Sequence, residues 1–225
     1  MNHDLEISSK IGQVSVHQRL PMADQSSRLL VLLHGWTGDE RSMMVFTGKL
    51  PQQAWIVSPR GLFPSPQGGY SWVAPREQNS WPGLDVFRPA VEFLAGWINP
   101  QNFPGVDLER IDLVGFSQGA ALAYAFALIH PKRVRAVAGL AGFLPEGVTA
   151  FLGTDKPLDG KPIFITHGSL DTIVPVAMAR QGVDILQQAG ADTTYCEDEV
   201  GHKLSINCFA SLQVFWKKLY RELDF

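Results

Sequence analysis

The sequence predicts an α/β fold, with a mostly parallel central sheet and helices on both faces. Three observations carry that reading. Short apolar runs alternate with stretches of helical periodicity along most of the chain. Several of those runs, such as Leu29–Leu33, are apolar without an in/out alternation, the pattern of strands buried on both faces. Hydrophobic residues make up 45% of the 225, enough to fill one sizeable core.

The elements follow in order. Leu5–Ser9 and Val14–Arg19 alternate as a half-exposed antiparallel hairpin does. Leu29–Leu33 and Ala54–Ser58 are the first two buried strands, and Ile111–Val114, Arg135–Leu140, Pro162–Thr166 and Thr193–Glu197 continue the series. Between them lie helices. Leu84, Phe87, Val91, Leu94 and Ile98 recur at spacings of three and four. Residues 118–130 are rich in Ala and Leu and are stopped by Pro131. A third helix runs from Pro175 to Ala189 with Gly190 as its cap, and Leu204, Cys208, Leu212, Phe215 and Leu219 mark a closing amphipathic helix. Residues 59–82 break the rhythm with five prolines and the aromatics Phe63, Tyr70, Trp72 and Trp81. So long a connection in a compact domain reads as a structured loop over a functional site. No repeat or long linker divides the chain, so residues 1–225 read as a single domain.

A net charge of −3 gives no pull toward nucleic acid or anionic lipid. The longest apolar stretch, Ala120–Ile129, falls short of a membrane span, and the first residues have no basic or apolar leader. A soluble cytoplasmic protein, monomer or homodimer, is expected. Cys196 and Cys208 are too few for a disulfide framework and form no C-x-x-C pair, so they read as two reduced thiols. The histidines show no metal-ligand spacing, and neither metal nor cofactor is expected.

The chemistry centres on Gly115-Phe116-Ser117-Gln118-Gly119. A G-x-S-x-G pentapeptide is weak alone. Here an apolar strand runs into it and a helix-forming run leads out, the strand–turn–helix setting of a nucleophile elbow. The turn must be tight enough for the hydroxyl to project from the sheet edge, and side chains at the two glycine positions would collide with the neighbouring strand and helix. Such a serine needs a base, and that base a carboxylate, in chain order Ser, Asp or Glu, His. His3, His17 and His34 precede Ser117, and His130 sits at the far end of the following helix. His167 precedes Asp171 and is out of order, which leaves His202, between the last strand and the last helix. Asp171 follows a buried strand by a short turn. Asp155 and Asp159 lie before that strand, Asp184 lies within a helix, and Asp198 is the second candidate acid. Two backbone donors are expected for a developing oxyanion: Gln118 N–H, and Trp36 N–H in the turn after Leu32-Leu33-His34-Gly35. His34 is assigned to holding that turn.

These pieces, with Leu140-Ala141-Gly142-Phe143-Leu144-Pro145, His167-Gly168-Ser169-Leu170-Asp171 and Gly201-His202, resemble the phospholipase/carboxylesterase family that includes the acyl-protein thioesterases. The resemblance covers nearly the whole chain. It implies the α/β-hydrolase fold without a large cap domain, the triad Ser117, Asp171 and His202, and the oxyanion donors Trp36 and Gln118. The chain departs from the family pattern at Trp36, where a smaller aliphatic is more usual, and at Val73-Ala74 after Trp72. Acyl chains of a small-molecule ester or thioester are expected against Phe63, Trp72, Phe143 and Leu144. Hydrolysis of short- to medium-chain esters is the expected activity. Thioester or lysophospholipid hydrolysis by the same triad, and an inactive ligand-binding relative, are the alternatives.

Overall fold

The computed structural model describes residues 6–21, 28–77, 80–152 and 156–221. His3, Leu5 and Asp155 lie outside them. The strands are β1 (Glu6–Ile11), β2 (Val14–Arg19), β3 (Leu29–Leu33), β4 (Trp55–Pro59), β5 (Phe63–Pro64), β6 (Tyr70–Ser71), β7 (Ile111–Phe116), β8 (Val134–Leu140), β9 (Pro162–Gly168) and β10 (Asp192–Asp198). The helices are α1 (Leu84–Trp97), α2 (Gln118–Ile129), α3 (Val176–Gln188) and α4 (Ile206–Arg221). Eight strands form one sheet in the order β1-β2-β4-β3-β7-β8-β9-β10. The β1–β2 and β2–β4 pairings are antiparallel and the rest parallel.

The side-chain period of a strand divides the core in two. Leu29, Val31 and Leu33 point to one face and pack with α1, α2 and Leu186 of α3. Leu30 and Leu32 point to the other, against Leu212, Trp216 and Tyr220 of α4. Helix α2 is buried from Gln118 to Leu128, because α1 covers the side that the sheet does not. Its nearly all-round apolar sequence follows from that position. Between β8 and β9 the described residues hold only one short 3₁₀ turn, Val148–Phe151, so no large cap covers the sheet edge there.

Two features differ from expectation. The loop after β4 carries the β5–β6 hairpin, too short and too proline-rich to read as strands. The cysteines are not reduced: Cys196 and Cys208 form a disulfide with Cα atoms 5.6 Å apart. The cause is tertiary. The chain turns sharply after β10 and starts α4 directly behind it, and a separation of 12 residues carries no signal of that approach.

Candidate active site

Strand β7 ends at Phe116 and α2 begins at Gln118, leaving Ser117 alone between them with φ 53° and ψ −115°. This is the strained corner expected of an elbow. Neighbouring groups enforce it. A Cβ on Gly119 would stand 2.0 Å from the Leu33 carbonyl oxygen, and one on Gly115 2.2 Å from that of Gly119. Only glycine lets β3, β7 and α2 approach so closely.

Two loops from the same sheet edge meet this serine. The turn after β9 brings Asp171, and the turn after β10 brings His202. They can touch because Gly168 lacks a side chain: a Cβ there would stand 2.1 Å from Val200 O. His202 Nδ1–H donates to Asp171 Oδ2 at 2.7 Å. Ser117 Oγ–H donates to His202 Nε2 at 2.9 Å. A carboxylate that can only accept fixes the proton on Nδ1 and leaves Nε2 to take the hydroxyl proton. The side chain of Asp171 is fully buried, while that of His202 is 19% exposed. Burial pushes the Asp171 carboxyl up. The bond from His202 and those from the Val174 and Ile173 N–H groups outweigh it and hold the group below its ordinary range. The second candidate acid, Asp198, instead accepts Asn207 Nδ2–H from the start of α4 and the N–H of the adjacent Glu199.

His34 holds the remaining wall. Its Nε2 accepts Gly61 N–H at 2.9 Å, so its Nδ1 bears the proton and donates to Gly35 O at 2.7 Å. Burial lowers its pKa and keeps the ring neutral. The turn so fixed carries Trp36, whose N–H, like that of Gln118, donates to no other described residue. Thr37 N–H and Tyr70 N–H exchange bonds across the turn with Tyr70 O and Gly38 O. The Gln118 side chain, not foreseen in this role, accepts Trp72 N–H at 2.9 Å and ties residues 59–82 to the elbow.

A cavity of about 770 Å³ opens onto Ser117, with Trp36, Val73, Trp81, Phe143, Ile173 and Gln118 among its walls. The expected acyl wall is corrected in three places. Trp72 is fully buried, its Nε1–H bonded to His34 O, and Leu144 lies in the core. Phe63 sits half-buried in β5, off the cavity wall. Of the four, Phe143 alone lines the cavity, its ring centroid 4.8 Å from that of Trp81 in a tilted contact. Backbone direction decides this: Ser71 and Val73 line the cavity while Trp72 between them turns inward. Among the described residues no group of three His, Cys, Asp or Glu side chains is disposed to hold a metal ion.

The family model described as "Phospholipase/Carboxylesterase" matches residues 20–220. The chain belongs to the phospholipase/carboxylesterase family of α/β hydrolases. Within the family it is similar to a probable inactive carboxylesterase of Oryza sativa subsp. japonica, 26% identical over 79% of each chain. It is also similar to acyl-protein thioesterase 1 of Eremothecium gossypii, 31% identical over 47% of this chain and 45% of that one. The match to the thioesterase thus spans about half of that protein. The fold resembles that of the Bacillus cereus carboxylesterase, with a TM-score of 0.79 at 19% identity over 92% of this chain and 95% of that one. No described helix is long and apolar enough to cross a membrane.

Proposed function

We propose that the protein is a carboxylesterase that works through an acyl-enzyme on Ser117. One observation carries the reading: the unbroken hydrogen-bond chain Asp171–His202–Ser117 beside the cavity. Ser117 Oγ attacks the ester carbonyl while His202 Nε2 takes its proton, and Asp171 stabilises the imidazolium that forms. The N–H groups of Trp36 and Gln118 receive the oxyanion, with the α2 N-terminus behind them. His202 then protonates the departing alcohol. It next deprotonates water, which attacks the acyl-enzyme, releases the acid and restores Ser117. Trp81, Phe143 and Val73 offer an apolar wall to a short or medium acyl chain.

A second reading draws on a relative named as an inactive carboxylesterase: a binding protein on the same fold. The intact elbow and both bonds to His202 favour the enzyme. A fluorophosphonate probe and p-nitrophenyl esters of increasing chain length separate the two. Ser117 is expected to label, and Ser117→Ala to lose about 10⁴–10⁶-fold in kcat. Wild-type turnover in that variant would overturn the proposal. Matched oxygen and sulfur esters then separate esterase from thioesterase.

A further inference from the structure

Among the described residues, the cavity above Ser117 has one charged residue in its wall. Its other lining residues are proline, aliphatic, aromatic or uncharged polar, and Arg76 stands among them. That arginine differs in its partners from the ion-paired arginines of the chain. Arg60 is paired with Glu40, Arg135 with Asp112 and Arg180 with Glu197. Arg76 has no acidic partner among the described residues. Arg76 is partly buried as a residue, and its solvent-exposed guanidinium spends one donor, Nη2–H to Ser80 O at 2.6 Å, which anchors the head against the loop's own backbone. A guanidinium has five N–H donors in a planar fork matched to a carboxylate. An anion entering the cavity can take up the free donors of this fork in a charge-assisted, bidentate pair. A neutral acyl chain gains nothing from it. The cavity volume also exceeds what a two- or three-carbon acyl group fills, and leaves room for a chain between the scissile carbonyl and a second polar group.

We infer that Arg76 selects esters whose acyl chain ends in a carboxylate, that is, half-esters of dicarboxylic acids. The inference rests on the esterase reading of Ser117, and its test is kept separate from that reading. The probes are mono-p-nitrophenyl adipate and p-nitrophenyl hexanoate, which differ at the far end of a six-carbon acyl chain. The wild type is expected to favour the charged ester in kcat/KM. In Arg76→Gln the charged-to-neutral ratio falls about tenfold or more, and Arg76→Lys restores part of it. A ratio within twofold of wild type in Arg76→Gln overturns the inference. So does a loss seen only when the carboxylate sits on the leaving group, as in 4-(hexanoyloxy)benzoate against phenyl hexanoate. If neither acyl ester is turned over, the esterase reading fails by itself. Arg76 is then read from the thermal midpoint with adipamate against hexanamide: a shift by adipamate that Arg76→Gln abolishes supports the site, and no shift ends it.

Discussion

Asp171 is bonded on both oxygens. Oδ1 accepts the N–H groups of Ile173 and Val174 at 2.8 and 2.9 Å. Oδ2 accepts His202, and His167 Nε2 stands 3.3 Å away. An amide at this position keeps the size but presents a donor to His202 Nδ1 and selects the wrong tautomer. Asp171→Asn is therefore expected to lower kcat by about 10⁴-fold with little change in the circular dichroism spectrum; retention of most of the activity would remove Asp171 from the triad. His34 makes a pH prediction. Its folded pKa lies below the ordinary value of about 6.5 because burial disfavours the charged ring. The unfolded chain therefore takes up this proton first as pH falls. The contribution is complete above about pH 6.5 and is lost as pH drops below it. Gly61 N–H loses its acceptor when the ring protonates, so the turn bearing Trp36 loosens with it. His34→Phe should have a lower thermal midpoint at pH 7, by about 1–3 kcal/mol in stability, and a shallower decline toward pH 5. An equal slope in both proteins would assign the acid sensitivity elsewhere.

At the scale of elements, the segment between β10 and α4 holds the site together. It carries His202, and the Cys196–Cys208 disulfide closes it across 12 positions. Closing a loop of that size stabilises by about 3 kcal/mol through the unfolded chain. Cys208→Ser is expected to lower unfolding stability by about that amount in denaturant titration. It should also lower kcat, since the loop that presents the imidazole is freed at one end. Unchanged kcat with lowered stability would restrict the disulfide to a structural part. An oxidising compartment keeps such a bond closed, whereas a cytoplasmic setting would reduce it. The disulfide was not legible in the sequence because it depends on how tightly one turn folds. The buried strands were legible, since burial on both faces removes the alternation and leaves apolar runs such as Leu29–Leu33. The order Ser117, Asp171, His202 was legible because each residue follows a strand of the parallel part of the sheet, and such strands end at one edge. The cavity wall was not. Aromatic residues in an irregular loop show that something is covered, but not which side each ring takes, and Trp72 took the inner side.

For the molecule as a whole, α4 is secured to the sheet at both ends. Near the site, the disulfide joins Cys208 to β10. At the opposite sheet edge, Asp112 and Arg135, each second in its strand, form a buried pair. Arg135 Nε–H donates to Asp112 Oδ1 at 2.9 Å and Nη1–H to Leu219 O at 3.1 Å, while Tyr220 Oη–H donates to Asp112 Oδ2 at 2.7 Å. The guanidinium also lies over the Tyr220 ring, 4.5 Å from its centroid. A fully buried carboxylate is tolerated only while these donors answer it. Removing the arginine alone strands the charge, so Arg135→Met should cost about 3–5 kcal/mol in urea unfolding. Removing both charges leaves only two neutral groups, the Tyr220 hydroxyl and the Leu219 carbonyl, without these partners, and the double variant Asp112→Leu, Arg135→Met should recover much of that loss. Because the pair lies across the sheet from Ser117, folded Arg135→Met should keep its kcat/KM toward a p-nitrophenyl ester. If the double variant is no more stable than Arg135→Met, the pair acts mainly by packing α4, not by neutralising a buried charge.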